Sequence, residues 1–160
     1  MRIVAIVPDA AQAGGIVRVQ CGWATWDGRH LLAGAKPFGP WPRPEPGRAY
    51  LELRRWLGQV CELLRPHLIV CAAEPEADLP AGPPYGGWRE AVLTRAQEAA
   101  AECGARCLVV PDRALDRLLP RGASAPDGAA LGGAESRARL LIGYARDKAC
   151  DRGYTRERAS

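Results

Sequence analysis

The chain is poor in several residue types. Among 160 residues there is one Met, one Phe and two His, and aromatic residues make up 6%. Only Lys36 and Lys148 are lysines, against twenty arginines. No apolar run approaches the ~18 residues of a membrane span. The first run is broken at once by Pro8 and Asp9, which argues against a secretory signal peptide. No membrane is expected, and a cytoplasmic location is the expectation. The glycines of AQAGG and GPPYGG lack the G-x-x-x-x-G-K-S/T spacing of a phosphate-binding loop. The two histidines, His30 after a turn and His67 before a strand, complete no Ser/His/Asp or Cys/His set. Of six cysteines only Cys103 and Cys107 lie close together. A zinc site asks for two such pairs, or one pair with nearby histidines. Ordinary reduced thiols are therefore expected.

What is present describes a globular chain. Hydrophobic content is 48% and charged content 25%, and the length suits a single domain, residues 1–160, with one core. The net charge is +4. Residues 135–160 hold seven basic side chains (among them Arg137 and Arg139) against four acids, a surplus of three. A basic end suits a polyanionic partner, but a solvated helix face with i,i+4 ion pairs accounts for it equally well.

The apolar patterning predicts alternating elements. RIVAIV is a short β-branched run, hence a buried strand, with AAQAGG after it as a loop. IVRVQCGWATWDG and RHLLAGAKPF form a hairpin about Asp27-Gly28. GPWPRPEPG, with four prolines, is irregular. AYLELRRWLGQVCELLRP has helical spacing and ends at Pro66. HLIVCAAE is a strand, 75–87 a Pro/Gly loop, and WREAVLTRAQEAAAECG a helix closed by Gly104. ARCLVVP is a strand, 112–120 a short helix, 121–133 a loop, and 134–153 a final helix. Residues 154–160 read as a flexible tail. The order β-β-β-α-β-α-β-α-α gives an α/β fold: an antiparallel meander continued by parallel strands in one mixed sheet, with helices on its faces.

That order is the order of the ribonuclease H-like fold, and four stretches carry the resemblance further. CGWATWDGRHLLAGAKPF resembles the TGWAVLDG…LVASG segment of the RuvC-type Holliday-junction resolvases. LRRWLGQVCELLRPHLIVCAAE resembles their next helix and strand, and RIVAIVPD their first strand, usually ILGIDPG. CLVVPDRALDRLLPRG is similar to a later strand and helix. The resemblance spans residues 2–122. It implies a ribonuclease H-like mixed sheet with helices on both faces, and a protein acting on branched DNA. It also implies an endonuclease with two Mg²⁺ ions held by four carboxylates, since paired divalent ions stabilise the attacking and leaving oxygens of an in-line displacement. Family members are dimers, and the helix over 50–64 or over 88–103 offers a face for a homodimer. Loops after the strands, and the helix after the fourth strand, approach DNA in the family. Trp88, Arg89 and Arg95 are the matching binding residues, with Arg137 and Arg139 on the basic last helix.

The acids do not stand where the resemblance needs them. Val7 falls at the family's first aspartate and Ala72 at its glutamate. On the last helix, ESRARLLIGYA puts Glu135 at the first acid of the family's pair and Ala138 at the second. A second alignment matches residues 135–154 to the helix before the acid-bearing one, which would then be missing. Two readings stay open. Asp9 and Glu74 each lie two residues beyond the substituted position, and so on the same strand face, about 7 Å outward. Glu135 stands one turn from Ala138. A displaced catalytic and metal set of Asp9, Glu74 and Glu135, holding Mg²⁺, is one reading. The other is a catalytically inactive protein with a binding, structural or dimerisation role. Pro8-Asp9 and Glu74-Pro75 are also ordinary turn pairs. A sugar-kinase-like or carbamoyl-transfer-partner domain is a third reading, and it would need a phosphate loop that AAQAGG does not make.

Overall fold

The computed structural model of the chain describes residues 1–13, 16–39, 45–73, 87–111, 114, 115, 117 and 133–151. Five strands form one sheet in the order β3-β2-β1-β4-β5. They are β1 (Ile3–Ala13), β2 (Ile16–Trp26), β3 (Leu31–Phe38), β4 (Leu68–Ala73) and β5 (Arg106–Pro111). β1 pairs antiparallel with β2, and β2 with β3; β1 pairs parallel with β4, and β4 with β5. Three helices complete the described elements: α1 (Pro46–Leu64), α2 (Trp88–Cys103) and α3 (Ala134–Asp151). This is the mixed sheet expected from the sequence.

β1 is central, and residues Ile3 to Val7 are all buried. Its side chains divide by strand alternation. Val4, Ile6 and Ala10 pack with Leu53, Leu57, Trp88 and Val92 of α1 and α2. Ile3, Ala5 and Val7 pack with Ala134, Ala138, Leu141 and Ile142 of α3. Both faces are covered, which is why the strand reads as a continuous apolar run.

Two expected boundaries are corrected. β1 does not stop at Pro8-Asp9 with a loop over AAQAGG; it continues to Ala13, opposite Ile16. Its pairing with β4 ends at Ile6↔Cys71, so beyond that point β1 has one neighbour among the described residues, and a proline is tolerated on such an edge. Asp9 is consequently a strand residue paired with Gln20. α1 begins at Pro46, inside the stretch expected to be irregular, because proline suits the first helical position. Its Glu45 carbonyl accepts the N–H groups of Arg48 and Ala49, each at 3.1 Å. The helix ends in left-handed Arg65, and Pro66 prevents its continuation. Most of the expected 112–120 helix, and the 154–160 tail, lie outside the described residues. No described helix is long and apolar enough to cross a membrane.

Candidate functional site

Three chain segments meet beside β1 on the α3 face. β1 brings Val7, β4 brings Ala72, and the first turns of α3 bring Ala134 and Ala138. Of the four positions matched to the family's acids, Glu135 keeps an acid, and the three that do not are exposed by 1% (Val7), 0% (Ala72) and 0% (Ala138). All three belong to one apolar cluster, with Ile3, Ala5, Ala24 and Val70 among its members. The segments converge as the alignment requires, and they converge on hydrocarbon.

The helix also approaches too closely to leave a cleft. Val7 pairs with Gly22 of β2. A Cβ at Gly22 would lie 2.1 Å from both the carbonyl carbon and the oxygen of Ala134. The backbone of α3 thus rests directly on the backbone of β2. Glycine in a strand often marks such an approach. Gly22, Ala24, Ala134 and Ala138 are small enough to allow it. A pair of hydrated Mg²⁺ ions needs oxygen ligands and room for water. Among the described residues Val7, Ala72 and Ala138 offer neither, so the side chains at these three positions do not fit a two-metal centre.

The displaced acids stand as follows. Asp9 is half-buried, one step outward of the Val7–Gly22 pair, and its carboxylate accepts a hydrogen bond of 2.5 Å from Gln20 Nε2. Gln20 is tied from its other side, where its carbonyl accepts the Trp88 indole N–H at 3.1 Å. Glu135 lies in the first turn of α3 and pairs with Arg139 Nη2 at 3.0 Å, an i,i+4 bridge with both side chains nearly half exposed. Glu74 lies outside the described residues, as does Asp127. Among the described residues no three His, Cys, Asp or Glu side chains are grouped to hold a metal ion.

The expected DNA-contacting residues divide as well. Trp88 is fully buried. Its ring stacks on Tyr50 with centroids 6.0 Å apart, and meets Phe38 at 5.2 Å. Trp88 is a core residue here, and its ring faces are not presented to a base. Arg89 is buried beside it. Arg95 is on the outer side of α2, paired with Glu98. Arg139 is exposed, and Arg137 is half-buried.

Thiol chemistry near the sheet is set by burial at Cys21 and Cys61 and by a thiol–thiol hydrogen bond at Cys71 and Cys107. Cys21, on the α1/α2 face, is pushed far up by burial and then by the Asp9 charge. The close pair Cys103 and Cys107 is divided between partners. Cys61 is pushed up to about 12, first by burial and then by Cys103. Cys71 is raised chiefly by its hydrogen bond with Cys107, and the same bond lowers Cys107.

No known family profile matches the chain, and no curated protein sequence does. Solved structures do. RuvC of Thermus thermophilus in complex with a Holliday junction substrate superposes with a TM-score of 0.61 at 13% identity, covering 92% of this chain and 96% of that one. Another Thermus thermophilus RuvC structure gives 0.59 at 16% identity, covering 92% and 97%. At such identities the likeness concerns the path of the backbone, over nearly the full length of both chains. The chain therefore has the ribonuclease H-like fold in its RuvC-type form.

Proposed function

We propose that this chain binds branched DNA and does not cut it. One observation carries the second half: Val7, Ala72 and Ala138 lie together in a sealed apolar cluster, under a helix that touches the sheet backbone. The first half is supported by the RuvC-type fold, by the Holliday junction bound to the RuvC it resembles, and by an arginine-rich surface. With Trp88 and Arg89 in the core, Arg95 and Arg139 are the phosphate-binding side chains of this reading. Both are held by surface ion pairs worth little, about 0–1 kcal/mol each, which a phosphate can replace. Mg²⁺ has no part in it.

Fluorescence anisotropy with a labelled four-way junction tests the proposal, using a linear duplex of equal length as comparator. The junction should bind more tightly than the duplex, with log K falling linearly as log salt rises. Arg139→Ala should weaken binding and reduce that slope by about 1. The junction should stay intact in Mg²⁺ or Mn²⁺. Equal affinity for junction and duplex, or no binding at low salt, sinks the binding reading. Cleavage in Mg²⁺ that is lost in Asp9→Asn would replace it with the displaced-acid nuclease.

A further inference from the structure

At the opposite end of the sheet a cavity of about 270 Å³ opens between the first residues of β4 and β5 and the last two turns of α3. Leu68, Leu108, Ala145 and the Tyr144 ring form its apolar wall. Exposed Arg106 and Lys148 stand at its edge, and among the described residues no Asp or Glu lines it. Leu68 and Leu108 pack into the α3-side cluster. By strand alternation Arg106 shares that face with Leu108, while Cys107 points to the other side, toward Cys71. The thiol therefore takes no part. Leu68 lies four residues before Ala72, about 13 Å along the strand, so this cavity is separate from the sealed cluster.

Neither Arg106 nor Lys148 has an ion-pair partner among the described residues. Two cations without an ion-pair partner among the described residues, beside an apolar wall, favour an anion. A guanidinium offers a planar fork to a carboxylate or a phosphate, and an ammonium adds a point charge. The Tyr144 ring and the two leucines favour a flat apolar body. A concave apolar wall with few polar groups is the usual form of a small-molecule site. The volume lies just below the ~300–1,000 Å³ of such sites, which leaves room for a one- or two-ring acid and not for a dinucleotide. We propose that this cavity binds a small organic acid, with its oxyanion head on Arg106 and Lys148 and its ring against Tyr144, Leu68 and Leu108. The inference is independent of the DNA-binding reading.

Amide NMR titration of the full chain tests it, with naphthoate as probe, naphthamide as its neutral counterpart and inorganic phosphate as a bare head group. Naphthoate should give saturable shifts confined to Leu68, Arg106, Leu108, Tyr144 and their neighbours. Naphthamide and phosphate should each bind about tenfold more weakly or worse. The double variant Arg106→Gln/Lys148→Gln should lose about tenfold or more while its remaining spectrum superposes on the parent. Ala149→Leu, which fills the cavity without touching the cations, should lose binding too. Four results would overturn the site: no saturation at millimolar naphthoate, shifts scattered elsewhere, equal binding of naphthamide, or undiminished binding in both variants. Phosphate binding as tightly as naphthoate would overturn the apolar part.

Discussion

At Val7 the side chain meets hydrocarbon from β1, β4 and α3. A carboxylate placed there would lose its hydration and gain no cation in return. The effective penalty is several kcal/mol, against a total stability of ~5–15 kcal/mol for an ordinary domain. Val7→Asp should therefore lower the urea midpoint steeply, or unfold the chain, without creating Mg²⁺-dependent cleavage. A stable Val7→Asp protein further stabilised by Mg²⁺ would show that a metal cleft persists under α3. The thiols make a second prediction at this scale. Cys107 is exposed and lowered, whereas Cys21 and Cys71 are buried and raised. The thiolate is the nucleophile, so Cys107 should be alkylated well before Cys21 and Cys71, with a rate midpoint below 9.0. Peptide mapping after brief iodoacetamide treatment reads this directly. For stability the sign runs the other way. A thiol raised in the folded state stabilises fully below its unfolded value of 9.0 and loses that contribution as pH rises toward the folded value. Three raised thiols outnumber one lowered thiol, so urea midpoints should fall as pH climbs above 9.0.

At the scale of elements, the contact between α3 and β2 decides what the site can be. Gly22→Ala puts a methyl group where the backbone of Ala134 already lies, so the helix must lift or tilt. Overpacking of this kind costs about 1–3 kcal/mol, and the start of α3 should show faster amide exchange than its remote end. An unchanged urea midpoint in Gly22→Ala would mean that α3 does not rest on β2. Part of this was legible in the chain. The β-branched run of β1 and the apolar spacing of α1 announce their elements. The substitution of the matched acids by Val7, Ala72 and Ala138 is visible before any fold is known. The glycine between Cys21 and Trp23, inside a strand pattern, was itself a signal of close backbone approach. What escaped depends on pairing. Pro8 and Asp9 have the local character of a turn, yet β2 continues alongside and carries β1 on to Ala13. Tertiary pairing overrides local preference in such cases. Trp88, at the head of a predicted helix beside a Pro/Gly loop, suits either base stacking or packing over the core edge in sequence, and the fold surrounds it with Tyr50, Phe38 and the Gln20 carbonyl.

At the scale of the whole molecule, the RuvC-type fold and the proposed absence of metal chemistry rest on different residues. The sheet order and the helix on each face depend on apolar patterning, which the chain keeps. Metal binding depends on a few carboxylates, and removing them frees the same positions for packing. A thermal shift measurement distinguishes DNA binding from metal binding. Any ligand that binds the folded chain alone stabilises it by RT ln(1 + [L]/Kd), about 2.7 kcal/mol at a hundred times Kd. For a chain of this size each kcal/mol raises Tm by about 2–4 °C. A four-way junction at low salt should therefore raise Tm by roughly 5–10 °C, and the rise should shrink as salt increases, since counterion release drives the binding. Millimolar Mg²⁺ alone should leave Tm where it was. A rise of several degrees with Mg²⁺ that disappears in Asp9→Asn would mean that Asp9, with acids beyond the described residues, still gathers a cation. No shift with the junction at any salt would mean that the fold here goes with neither metal nor DNA binding.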